Sequence, residues 1–162
     1  VFGNGGSVQG AGGPAREKGS MSRSDIDVAK LNEAVREEAL LVQAAVDEVR
    51  AVGPQIVLVT SLVLDDTPAD AIDLLACDHT GRYRLRTPKL PISVNGAGDA
   101  IAALFFAHCL KTGSAADALS RAASSVFGIL QHTSDAGSRE ILLIEAQDEL
   151  VQPSREFLAQ SV

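Results

Sequence analysis

Hydrophobic positions along the chain change their spacing several times, and each change marks an element. From about Ser24 to Gly53, Val35, Ala39, Val42, Ala45, Val46 and Val49 recur at three- and four-residue steps, the spacing that lines one face of a helix. Gly53-Pro54 then stops that helix, because glycine frees the backbone and proline cannot continue it. The run "QIVLVTS" (55–61) is β-branched and apolar almost without interruption, which predicts a strand buried on both faces, as in a parallel sheet. "AIDLLACD" (71–78) and "YRLRTP" (83–88) read as two further strands, joined through His79-Thr80-Gly81 in a hairpin-like turn. Helices are expected at 97–112 and 114–132, separated by Thr112-Gly113-Ser114, a stop followed by an N-cap. "REILLIEA" (139–146) reads as one more strand, and "PSREFLAQ" (153–160) as a closing helical turn. Helix, buried strand, hairpin, two helices and strand make a piece of an α/β domain.

Ahead of these elements, residues 1–20 are rich in glycine and carry no apolar period, so residues 1–23 are expected to form a flexible leader. "GNGGSVQGAGG" has neither a strand before it nor an apolar helix after it, and so lacks the context of a phosphate loop. A formal charge of −7 argues against a nucleic-acid partner, which needs a basic face. No apolar run approaches the roughly 18–20 residues of a membrane span, and no basic-then-apolar leader opens the chain, so a cytoplasmic location is expected. Cys77 and Cys109 lie far apart with no metal-type spacing and read as small core residues of a reduced protein.

One short stretch carries chemistry. Asn95-Gly96-Ala97-Gly98-Asp99 immediately precedes the apolar run "AIAALFFAHCL". Glycines at 96 and 98 let backbone N–H groups approach a ligand with no Cβ in the way. The helix that follows adds unpaired N–H groups and about half a positive charge, which suits a phosphate. Asp99, in the first turn, stands where a carboxylate could accept the proton of an attacking hydroxyl. The competing reading is a tight turn whose Asp caps the helix.

"NGAGD" followed by an apolar helix resembles the anion-hole motif of the ribokinase-like superfamily. "ASSVFGIL" and then "SREILLIEAQDELVQPSREFLA" resemble the carboxyl end of pyridoxal kinases, and "GPQIVLVTS" resembles a strand that ends at a nucleotide-contacting residue there. The likeness runs from about Val35 to Val162 and covers only the carboxyl half of such a kinase. It implies a partial three-layer α/β/α sandwich, with residues 24–162 as the carboxyl-terminal part of the kinase domain. It also implies ATP-dependent phosphorylation of the 5′-hydroxymethyl group of pyridoxal. On this resemblance Asp99 is the general base, and Asn95, Gly96, Ala97 and Gly98 form the anion hole. Thr60 touches ATP phosphates, and Thr87, Pro88, Lys89 and Leu90 lie along the nucleotide. The resemblance further implies Mg²⁺ and a homodimer.

Two departures limit it. Nothing here replaces the amino half, and the family's Thr-Pro-Asn-x-x-Glu segment has only Asp27, within "SRSDID", near its acidic position as a metal helper. A truncated remnant that binds nucleotide weakly therefore stands beside the enzyme, as do a hydroxymethylpyrimidine or a sugar kinase. His79, His108 and His132 share no metal spacing, and Asp65-Asp66 before Thr67-Pro68 read as a turn.

Overall fold

The computed structural model describes the backbone from residue 28 and side chains from residue 40 onward. The leader (1–23) and Asp27 lie outside the described residues, as do the side chains of Val35 and Ala39. Helix α1 (Val28–Val52) precedes strands β1 (Val57–Leu62), β2 (Ala71–Cys77) and β3 (Arg82–Pro88). Helices α2 (Ala97–Thr112) and α3 (Ala115–Asp135) follow, then a 3₁₀ turn at Gln147–Leu150 and a two-residue strand β4 (Gln160–Ser161). The sheet runs β1-β2-β3-β4, and every pairing is antiparallel.

The pleat of β2 sorts its side chains between two cores. Leu74 and Ala76, with Leu85 of β3, meet Ile101 and Phe105 of α2 and Leu119, Ala122 and Val126 of α3. Leu75 and Cys77 point the other way, onto Val46 and Val42 of α1 and Val57, Val59 and Leu62 of β1. The layers are therefore α1, sheet, and the α2–α3 pair, a three-layer sandwich. α3 reaches the core through Ala115, Ala118, Leu119, Ala122, Ala123 and Val126, all buried at three- and four-residue steps. Leu119 and Ile129 are fully buried there, worth about 1.5–3 kcal/mol each.

Local chemistry sets the ends of these elements. Gly113 closes α2 in the left-handed region (φ 69°), its N–H donating to Cys109 O at 2.9 Å. Ser114 caps α3, its Oγ accepting the Asp117 N–H at 3.2 Å. Asp78 ties hairpin to helix: its Oδ1 accepts the N–H groups of Thr80 (2.7 Å) and Gly81 (3.1 Å), and its Oδ2 accepts the N–H of Ala115 (3.0 Å). Burial raises the Asp78 pKa, but the Thr80 hydroxyl, which also donates to Oδ1, and these N–H donors outweigh it and the net shift is downward.

Four expectations need correction. "QIVLVTS" is not a doubly buried parallel strand; β1 lies at one end of the sheet, antiparallel and half exposed, and β2 is the strand buried on both faces. The α1 face is narrower than its spacing implies, with Val42 and Val46 against the sheet and Ala45 and Val49 exposed. "REILLIEA" is not a strand. It makes a single parallel bridge, Glu140 to Asn95, and then turns because Thr133 Oγ1 of α3 captures the Leu142 N–H at 3.1 Å. "PSREFLAQ" is not helical: Ser124 Oγ accepts the Phe157 N–H (2.9 Å) and Ser120 Oγ the Ala159 N–H (3.0 Å), holding the segment extended along α3 until it pairs as β4.

Candidate active site

A cavity of about 340 Å³ opens between the sheet and the α2–α3 pair. Leu85 and Thr87 of β3 share the face that looks into this layer, so Thr87 reaches the cavity wall. On β1 the pairing steps from Val59↔Leu75 to Leu62↔Asp73, leaving Thr60 and Ser61 together opposite Leu74. This β-bulge puts Ser61 at φ 58° and turns both consecutive residues toward the cavity. Pro88, the last residue of β3, and Lys89 and Leu90 after it continue the wall, the Lys89 N–H donating to Asp70 O at 2.8 Å. Ala97 and Gly98 supply the lip at the start of α2.

That lip is built around Gly96, the N-cap, at φ 90°. A Cβ at Gly96 would lie 3.0 Å from Ile141 Cγ2, in a conformation L side chains rarely adopt, so glycine is required twice over. Over Gly98 a Cβ would meet nothing within 4 Å, and the approach to the helix end is open. No side chain caps α2, and its first i→i−4 bond is Ala100 N–H to Gly96 O at 2.9 Å. The earlier N–H groups of the turn therefore keep their capacity for an anion, at the positive end of the helix. Asp99 is exposed in that first turn and accepts no hydrogen bond among the described residues, so it does not act as a cap.

Thr60, Thr87, Pro88, Lys89 and Leu90 thus gather around one cavity with Ala97 and Gly98. Asn95, Gly96 and Asp99 sit beside it, off its wall. Asn95 spends its N–H on Arg139 O (3.2 Å) and its Nδ2 on Glu140 Oε1 (3.2 Å), which leaves the anion cradle to the residues after it.

The sequence reading missed Ser61 and a charged cluster behind the cavity wall. Asp73 is fully buried on the opposite face of β2. Its Oδ1 accepts Arg86 Nε (2.7 Å), and its Oδ2 accepts Thr67 Oγ1 (2.7 Å), Arg86 Nη2 (2.9 Å) and Arg84 Nε (3.0 Å). Arg84 also grips Asp66 with two nitrogens, at 2.8 and 2.7 Å. Burial pushes the Asp73 carboxyl up, yet the bonds from Arg86, Arg84 and Thr67 outweigh it and hold the pKa at about 2. The alternation Arg82, Arg84, Arg86 in β3 was the available signal: at period two, three guanidiniums share one face and need a partner there. Among the described residues no three His, Cys, Asp or Glu side chains converge as metal ligands, and Asp66 is committed to arginine.

Known structures of the same shape include Plasmodium falciparum PdxK, crystallised with AMP-PNP and PL, at a TM-score of 0.62 and 19% identity over 75% of this chain and 41% of that one. Pyridoxal kinase from Entamoeba histolytica superimposes at 0.59, with 22% identity over 70% of this chain and 40% of its own. At such identities the likeness speaks for the fold alone, and the class it gives is one of fold: the three-layer α/β/α arrangement of these structures. No protein-family model matches the sequence. Individual relatives narrow the class. Pyridoxal kinase PdxY of Granulibacter bethesdensis is 55% identical over 108 residues, 67% of this chain and 38% of the relative. PdxY of Leifsonia xyli is 44% identical over 119 residues, 74% of this chain and 42% of the relative. Over the part they share, the chain is homologous to the pyridoxal kinases, and it spans about two-fifths of the length of these relatives.

Proposed function

We propose that residues 24–162 form the carboxyl-terminal, nucleotide-handling part of a kinase that transfers the γ-phosphoryl group of ATP to the 5′-hydroxymethyl of pyridoxal. One observation carries this reading: a single cavity joins Thr60 and the Thr87–Leu90 segment to the uncapped start of α2, with the Asp99 carboxylate, which accepts no hydrogen bond among the described residues, beside it. ATP lies along Thr87–Leu90 and the Thr60 hydroxyl meets its phosphates. The substrate hydroxyl attacks the γ-phosphorus, Asp99 takes the hydroxyl proton, and ADP departs. The N–H groups at the α2 lip, Ala97 and Gly98 above all, receive the charge spreading over the phosphoryl oxygens. Positioning and charge stabilisation of this kind are most of what phosphoryl transfer asks of a protein.

ATP in such a reaction is handled with Mg²⁺, which binds through phosphates and one or two carboxylates. The described side chains do not build a ligand set for it, and Asp27 lies outside them, so no step here runs through the ion. A second copy of the chain as partner and a cytoplasmic setting belong to the same proposal. Among the described residues no helix is long and apolar enough to cross a membrane.

The test is pyridoxal 5′-phosphate formation by the purified chain with Mg-ATP, beside Asp99→Asn. Loss of the base should lower turnover by roughly 10²-fold or more while AMP-PNP affinity stays within a few-fold. Equal loss of turnover and affinity would make Asp99 a structural residue. Nucleotide binding without turnover in the unaltered chain would mark a remnant, and transfer to a hydroxymethylpyrimidine or a sugar instead would reassign the substrate.

A further inference from the structure

The β1–β2 connection (63–70) has an unusual set of anchors. It leaves from Ser61 and returns at Ile72, both on the cavity wall, and the carbonyl of Asp70 within it accepts the N–H of Lys89, also on that wall. None of residues 63–70 lines the cavity itself; the connection borders it as a rim, tied to the wall at both ends and through Asp70. It folds as two tight turns, Thr67 N–H to Leu64 O (2.8 Å) and Ala71 N–H to Pro68 O (2.9 Å), with Thr67 Oγ1 accepting the Leu64 N–H at 2.9 Å.

What holds those turns down comes from the far side of the sheet. Thr67 Oγ1 donates to Asp73, and Asp66 takes both terminal nitrogens of Arg84, whose Nε returns to Asp73. Arg86 closes the cluster by binding both oxygens of Asp73. Two guanidiniums thus neutralise two carboxylates, so Arg84 and Arg86 are engaged in structure and are not free phosphate binders. The planar two-nitrogen grip on Asp66 fixes direction as well as distance, which a single lysine contact would not. Meanwhile Ile72, Leu74 and Thr87, the residues alternating with Asp73 and Arg86 in β2 and β3, form cavity wall on the other face.

We propose that Arg84, clamped between Asp66 and Asp73, is a positioning residue for the nucleotide cavity, setting the rim 63–70 and through it the Lys89 segment; this rests on the nucleotide reading above. Arg84 touches neither substrate nor reacting atoms and acts through the rim.

The experiment compares the unaltered chain with Asp66→Asn, which loosens the exposed end of the clamp and spares the buried end, and with Asp73→Asn. Amide hydrogen exchange is read at Thr67, Ala71 and Lys89 in ligand-free protein, and AMP-PNP affinity by calorimetry. Asp66→Asn should keep its far-UV dichroism, accelerate exchange at those three amides, and weaken AMP-PNP binding about three- to tenfold, the scale of one ordinary hydrogen bond. Asp66→Glu, which can restore the grip, should recover much of both. Unchanged exchange in Asp66→Asn overturns the proposal, as does faster exchange with unaltered affinity. If the unaltered chain does not bind AMP-PNP, the nucleotide reading falls and takes the affinity arm with it. The exchange arm then still decides whether the clamp holds the rim.

Discussion

Gly128, in the middle of α3, lies directly beneath the carboxylate of Glu149, and replacing it with alanine gives a perturbation whose cost can be worked from distances. A Cβ at Gly128 would stand 1.9 Å from Glu149 Oε2, 2.3 Å from its Cδ and 2.9 Å from its Cγ. No small rotation clears three atoms, so the carboxylate must leave. Glu149 is buried, and its Oε2 accepts the Ser154 N–H at 2.8 Å. Losing a hydrogen bond to a charged acceptor costs about 1.5–3 kcal/mol. Displacing the packed side chain adds about 1–3 kcal/mol, while alanine returns about 1 kcal/mol in helix propensity. The expected net loss for Gly128→Ala is about 1.5–5 kcal/mol, read from urea unfolding by circular dichroism. Glu149→Ala removes the obstacle, so Gly128→Ala should cost little in that background. A Gly128→Ala protein within about 0.5 kcal/mol of the parent, or a double variant whose losses simply add, would refute the contact.

The remaining predictions concern ionisation and the carboxyl-terminal segment. The Asp73 carboxyl, held at about 2 against an ordinary 3.8, favours the folded state by about 2–3 kcal/mol above pH 4. A depressed folded-state pKa means that this contribution disappears as pH falls from about 4 toward 2. Asp73→Asn should therefore be less stable at pH 7 and show a flatter acid limb in denaturant titrations at both ends of that window; parallel limbs would count against the assignment. Ser124→Ala leaves the Phe157 N–H without its acceptor and should cost about 1–2 kcal/mol. Amide exchange at Phe157 should accelerate, and an unmoved rate there would show that the Ser124 bond does not hold the segment.

How much of this was legible in the sequence depended on the range of the interaction that decides each element. α2 and α3 carry their own start and stop signals at Gly96, Gly113 and Ser114, and the hairpin carries Gly81, so spacing alone placed them. "REILLIEA" and "PSREFLAQ" were misread because their paths are set by hydroxyls of α3, with Thr133 nine residues before its partner and Ser120 and Ser124 more than thirty before theirs. Nothing in a strand-like or helix-like pattern registers a distant hydroxyl. At the site, the glycine turn declared itself because glycine at φ 90° is a local demand. Thr60 and the Thr87–Leu90 segment entered only through family resemblance, and the bulge that brings Ser61 in beside them depends on a register with β2 that the β1 sequence does not encode.

The single carboxylate of Asp78, which bonds the hairpin turn on one side and the first N–H of α3 on the other, closes a loop of 37 residues. Closing a chain of that length costs roughly 3 kcal/mol of configurational entropy, by the logarithmic dependence on loop size. Within the loop lie Thr87, Lys89, the Gly96 turn, Asp99 and all of α2. Most of the candidate site therefore lies inside one loop whose ends a single carboxylate ties together, so its geometry depends on α3 being docked against the hairpin.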